Sequence, residues 1–344
     1  MAGLDVARAL AVLGMFGAHV GAVAADATVS PTSWSGVVNG RSSILFALLA
    51  GVSIALLSGR TTPAAGVDLT RARTRILVRA AWVFAIGGLL EALGTGIEVI
   101  LGVYALLFVF TLPFLRWPPR RLLLTAGVLA VLTPPVDLLL MMSAQATGTD
   151  KSPFMQLAVS GPYPAVIWSV FFLVGLAVGR CDLGSAKVRA RLAASGVALA
   201  FGGYGAGWLT TQWWGTAASA AWVGGEIGPR SWRLDWLTGA APHSGTTFEV
   251  VGSVGVALTL ITACLFLADR FPRATFPLAA VGTMALTAYS GHVLAGALFG
   301  GAGNGVWLAY VLVTVLAATG WRLTVGQGPL ERLLSWSSTR AAPA

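Results

Sequence analysis

The chain has 344 residues, 56% of them hydrophobic and only 10% charged, with a formal charge of +9 and a mean hydropathy of +0.79. Ordinary soluble domains carry about 25% charged residues, so too few polar groups remain here to cover a water-facing globule. The basic excess does not read as a nucleic-acid surface, because lysines and arginines sit in short clusters between apolar runs, as in loops held at an anionic leaflet.

Ten apolar runs follow one another, at 6–25, 42–58, 75–93, 97–115, 121–142, 162–179, 189–209, 246–268, 275–298 and 305–322. Most approach the ~20 residues that span ~30 Å of hydrocarbon as a helix. They lack the period-two alternation of a membrane β-barrel, so the expected fold is all-α: a polytopic membrane protein of about ten transmembrane helices. The N-terminal run has no basic region and cleavage site arranged as in a signal peptide and is read as the first permanent helix. Pro134-Pro135 is expected to break the fifth helix. Two cysteines, Cys181 and Cys264, give no disulfide or metal framework, and no zinc-ligand spacing or phosphate-loop motif is visible. Arginine far outnumbers lysine, which hints at a GC-rich bacterial genome.

An alternating topology places 18 of the 22 basic residues on one side, from Arg8 through the clusters at 60–79, 116–121, 180–191 and 270–273 to Arg340. By the positive-inside rule both termini are cytoplasmic, residues 323–344 form a cytoplasmic tail, and the whole chain is one transmembrane domain of the inner (plasma) membrane. The extracytoplasmic loops are then about 26–41, 143–161 and 210–245. The last carries Trp213, Trp214, Trp222, Trp232 and Trp236, which read either as an interfacial aromatic belt or as a platform for a sugar or amphiphilic acceptor.

The first helix holds the densest signal. Arg8 and His19 are eleven residues apart, about 1100° of helical rotation, so they share one stripe with a rise of about 16 Å between them. Asp5 lies one turn before Arg8 and can pair with it. Polar groups at such depth face a bundle interior or a wet cavity; His19 alone fits equally a hydrogen-bonded helix interface. His243 closes the Trp-rich loop near Glu249 and is a rival base. His292 lies one turn beyond Tyr289 on the ninth run, where a helix-packing role competes with an acceptor contact. Asp137, Glu91 and Glu98 are the remaining carboxylates near apolar surroundings.

The Arg8-x10-His19 spacing resembles the signature in the first helix of type 3 membrane acyltransferases. The rest of the chain resembles bacterial relatives of heparan-α-glucosaminide N-acetyltransferase. The pieces that carry this are Ser33-Trp-Ser-Gly36 leading into Asn39-Gly-Arg-Ser-Ser-Ile-Leu-Phe46, Gly161-Pro-Tyr-Pro-Ala-Val-Ile-Trp168, Val174-Gly-Leu-Ala-Val-Gly-Arg180, Pro242-His-Ser-Gly-Thr246, Pro277 through Tyr289, and Gly328-Pro-Leu-Glu331. Where the heparan enzyme has a histidine before its Trp-x-Gly segment this chain has Pro31, and Arg41 replaces an acidic residue beyond it.

The resemblance implies an acyl-CoA-dependent acyltransferase, an acetyltransferase first of all, acting on the hydroxyl or amine of an envelope glycan or glycolipid. His19, or else His243, is then the catalytic base, with Asp5 fixing Arg8. Arg8 and Arg41 meet the acetyl-CoA donor or another anion, and Trp34, Tyr289, His292 and Glu249 line the acceptor side. Homo-oligomerisation is open, and no metal or nucleic acid is implied. The alternatives are a transporter or flippase of a lipid-linked or small organic substrate, and a non-catalytic envelope scaffold.

Overall fold

The computed structural model describes residues 1–24, 31–216, 222–223, 226–227 and 233–342. Its regular elements are helices: α1 (Ala2–Val20), α2 (Arg41–Leu57), α3 (Gly66–Glu91), α4 (Leu101–Phe110), α5 (Pro119–Thr147), α6 (Pro153–Met155), α7 (Ala165–Gly179), α8 (Ala186–Trp214), α9 (Thr247–Arg270), α10 (Pro272–Thr283), α11 (Ala285–Phe299), α12 (Asn304–Thr324) and α13 (Pro329–Ala341). One two-residue antiparallel pair, Trp222–Val223 with Glu226–Ile227, interrupts them.

Among the described residues, six helices are long and apolar enough to cross a bilayer, and eight spans result if each of two bent helix pairs counts as one. The chain is therefore an all-helical membrane protein. α3 does not meet the measure by itself, since Arg71, Arg73, Arg75 and Arg79 crowd its first half, and α4 has only 10 residues.

The breaks are not where the prolines predicted. α5 runs unbroken through Pro134 and Pro135. A proline leaves the carbonyl four residues earlier without its helical donor, and in lipid such a group needs another partner. The Ala130 carbonyl, orphaned by Pro134, accepts the Thr247 hydroxyl at 2.9 Å, and the Thr133 hydroxyl donates to the Leu129 carbonyl at 2.8 Å. The sharp bends lie instead between Ser160 and Ala165 (59°) and between α10 and α11 (71°).

Contacts divide the chain into two compact units, with boundaries inside α2, α4 and α9. The first comprises Met1–Leu49, Ala64–Ala105 and Leu260–Ala344. Here α1 is central and almost wholly buried on its glycine-bearing sides. The α10 backbone comes so close that a side chain at Gly282 would overlap the Asp5 carbonyl, and one at Gly3 would meet the backbone of Leu265. The α10–α11 bend exposes backbone N–H groups at the start of α11; Glu331 of α13 accepts those of Leu286 (2.7 Å) and Thr287 (3.1 Å), together with the Thr287 hydroxyl (2.6 Å). This gives the Gly328-Pro-Leu-Glu331 motif a structural task.

The second unit comprises Ala50–Pro63 and Leu106–Thr259. Glycine again sets the helix spacing: Gly196 and Gly203 of α8 meet Gly255 and Gly252 of α9 backbone to backbone. Arg180 is 4% exposed. Its guanidinium donates to the carbonyls of Ser58 (2.9 Å), Arg60 (2.7 Å) and Leu115 and to the Ser58 hydroxyl (2.9 Å). It thus gathers chain-end carbonyls that helix termini leave without donors. Counting it as a loop charge, as the sequence pattern invites, misses this burial.

Candidate functional site

The site is built on the C-terminal part of α1 in the first unit. That part is tied down by α12 and the turn before it. Gly303 N–H donates to the Val20 carbonyl (2.6 Å), Asn304 accepts from Ala22 N–H (3.0 Å), and the Trp307 indole donates to the Leu13 carbonyl (2.9 Å). Gly17 leaves room for the Trp307 ring. The last turn of α1 is therefore held in register with α11 and α12, and His19 sits on it.

His19 meets His292 of α11. The two imidazoles stack with centroids 5.1 Å apart and 9° between their planes, and His19 Nδ1 is 2.9 Å from His292 Nε2. His292 Nδ1 is in turn in hydrogen-bond contact with the Tyr289 carbonyl. With both rings neutral, these contacts are met by one pair of tautomers. A carbonyl only accepts, so His292 carries its proton on Nδ1. Its Nε2 must then accept, and His19 donates from Nδ1. A base whose other nitrogen is fixed by a second group, itself fixed by a third, is the arrangement by which a general base is oriented.

The surroundings enforce this geometry. His292 is 4% exposed, stacked on Phe16 at 4.4 Å and edge-on to Tyr289 at 5.0 Å. Tyr289 is fully buried; its hydroxyl accepts from Ile100 N–H at 3.4 Å, and its ring also stands edge-on to His19 at 6.5 Å. Phe16 and Tyr310, which meets Phe16 edge-on at 6.4 Å, were not singled out in the sequence. Phe16 lies one turn before His19, so its position on the same face was available to inspection.

Toward the start of α1, Arg8 pairs with Asp5, both partly buried. The ion pair falls where α1 crosses Gly282 at the end of α10. Arg41 is half-buried and directs its guanidinium at the carbonyls of Asn39 (3.4 Å) and Gly36 (3.5 Å). It braces the 3-10 segment Pro31–Val38. Trp34, on that segment, is 60% exposed.

His243 and Glu249 belong to the second unit. The Glu249 carboxylate, 5% exposed, accepts the backbone N–H groups of His243 (2.6 Å) and Gly245 (2.7 Å) and the Ser244 hydroxyl (3.2 Å). Its task is to hold the Pro242-His-Ser-Gly245 turn at the start of α9. His243 has φ +60°, unusual for a non-glycine residue, and its ring lies 5.6 Å from Tyr163. Asp137 is buried, whereas Glu91 and Glu98 are exposed on the protein surface. Among the tryptophans of the 210–245 segment, Trp213 and Trp214 meet edge to face and are 70% and 52% exposed. Trp232 and the Trp222 side chain lie outside the described residues. Among the described residues no three His, Cys, Asp or Glu side chains form a group that could hold a metal ion.

Among curated proteins, no match to the chain is found. A family model described as heparan-alpha-glucosaminide N-acetyltransferase, catalytic, matches residues 1–203. The matched segment contains Asp5, Arg8, His19, Trp34 and Arg41; Tyr289 and His292, which orient His19, lie beyond it.

Proposed function

From the premise that the chain belongs to the heparan-alpha-glucosaminide N-acetyltransferase catalytic family, and is thus a membrane acetyltransferase, we propose that it moves the acetyl group of acetyl-CoA to a hydroxyl or amine outside the cytoplasm, with His19 as general base. The single observation that supports this reading is the contact chain from the Tyr289 carbonyl through His292 to His19, which holds the His19 ring by its Nδ1.

In the proposed chemistry the His19 ring acts through Nε2. His19 Nε2 takes the proton from the acceptor O–H or N–H as the oxygen or nitrogen attacks the thioester carbonyl. The new C–O or C–N bond forms, the C–S bond breaks, and the CoA sulfur leaves with the proton that His19 gives back. While His19 is an imidazolium, its Nδ1–H bonds to the His292 Nε2 lone pair, which helps to stabilise the charge in an apolar setting. His292 is a positioning residue. Arg8, held by Asp5, lies about 16 Å before His19 along α1 and receives the anionic end of the donor, with the pantetheine arm running along the helix toward His19. Ten spans with both termini cytoplasmic fit this arrangement, as donor nucleotide and most basic residues then share one side. On this view α3 enters the bilayer with its apolar second half. The acceptor is an envelope glycan or glycolipid, and the enzyme works in the plasma membrane. His243 is assigned no chemical step.

Proteoliposomes test the reading directly. Radiolabelled acetyl-CoA supplied to the face bearing the termini should yield acetylated amino-sugar acceptor on the opposite face. Acetylation confined to the donor's own face would overturn the transmembrane version.

A transporter or flippase has one observation in its favour, the two helix pairs bent by 59° and 71°, since interrupted helices often line transport sites. The same liposomes separate the readings, because a transporter moves the acceptor without consuming the thioester.

A further inference from the structure

α11 and α12 leave between them an apolar cavity of about 520 Å³. Its long walls are small residues, Ala288 and Ala295 on α11 and Ala309 and Ala317 on α12. Seven of its lining residues run from Met284, just before α11, to Phe299 at the end of that helix, a length of about 22 Å at 1.5 Å per residue. Phe299 and Val313 at the rim are 81% and 66% exposed, and the neighbouring Leu312 and Leu316 of α12 are exposed as well. In a bilayer, such a face meets lipid tails. The inner wall holds the ring of His292 and the side chain of Tyr310. The Tyr310 hydroxyl is buried and has no hydrogen-bond partner among the described residues. A buried hydroxyl without a partner is uncommon and asks for an explanation.

Neither half of the donor needs this slot. An acetyl group is two carbons long, and coenzyme A is a water-soluble anion. An elongated apolar channel reaching the residue that orients the base fits a hydrocarbon chain carried in the membrane. We infer that the slot seats the hydrocarbon chain of the acceptor, a prenyl- or acyl-linked sugar or amine that enters sideways from the bilayer. The chain runs from Tyr310 toward Trp321, about 16 Å along α12. The Tyr310 hydroxyl donates to the first polar atom of the head group, and the head then lies at His19. This deepens the acetyltransferase reading and rests on it.

The test uses the full chain in nanodiscs and an alkyl glucosaminide with a diazirine in a sixteen-carbon chain. Photolysis should label α11 and α12 peptides, and excess unlabelled sixteen-carbon glucosaminide should compete. Ala317→Trp, which fills the slot, should cut that labelling by about tenfold, a binding loss of the size one well-placed obstruction gives. Leu316→Trp, on the neighbouring lipid-facing position, should leave it unchanged. Labelling spread evenly over the exposed helices, indifferent to competitor and to Ala317→Trp, would overturn the inference. Because labelling needs no turnover, the two ideas fail separately. Competed labelling without acetyl-CoA consumption would sink the acetyltransferase reading alone, whereas turnover on short water-soluble acceptors without competed labelling would sink the lipid slot alone.

Discussion

At the residue scale, the proposal turns on how the His19 ring is held, by its Nδ1 against His292, which itself meets the Tyr289 carbonyl. Replacing His292 therefore has a distinct expected signature. In His292→Gln the amide can still meet both neighbours, so the fold persists, but its fit to His19 is looser. Turnover should fall by about 10- to 100-fold, less than the 10²–10⁴-fold typical of losing a general base, while KM for acetyl-CoA stays near that of the wild type. Steady-state kinetics check this split: a rise in KM with kcat unchanged would mean that His292 serves donor binding. His19 and its link to Arg8 were legible in the sequence because helical spacing alone puts them on one stripe. The pairing with His292 was not, because the two histidines are 273 positions apart and no local period connects them. Glu249 shows the opposite case. It is close to His243 in the chain, yet its carboxylate is engaged with the backbone of the turn, a task that side-chain chemistry alone does not reveal.

At the element scale, the sequence showed where helices lie but not how their ends and interruptions are satisfied. Hydropathy located the apolar runs because burial in lipid demands them. It could not show that Pro134 is tolerated because Thr247 reaches the Ala130 carbonyl, nor that the α10–α11 bend is capped by Glu331 from a helix 45 residues on. Arg180 is the plainest case: the charge pattern assigns it to a loop, and the fold uses it as a buried clamp on four carbonyls, that of Ala55 included, and a hydroxyl. Arg180→Met keeps the apolar stem and removes the donors. Each buried acceptor left without a partner costs about 1–3 kcal/mol, so a loss of about 3 kcal/mol or more is expected. Thermal unfolding in detergent should show a clear fall in Tm, whereas an unchanged Tm would mean that water replaces the guanidinium.

At the scale of the whole molecule, the account joins a membrane topology to a division of labour between donor and acceptor. Single cysteines introduced at Ser337 in α13 and at Thr149 beyond α5, in a background lacking Cys181 and Cys264, should react with membrane-impermeant maleimide from opposite faces of intact cells. Ser337 should be reached only after the membrane is opened. Labelling of Ser337 from outside, with Thr149 reached only after opening, would reverse the orientation and place Arg8 on the wrong side for a cytoplasmic donor. The central claim is more specific than topology, since it names one nitrogen on α1 as the base. Its most direct test is acetyl-CoA binding and thioester turnover in nanodiscs for the wild type, His19→Ala and His243→Ala. The account predicts that all three bind the donor and that only His19→Ala loses turnover, by about 10²–10⁴-fold. Full turnover in His19→Ala, or its loss in His243→Ala instead, would contradict it.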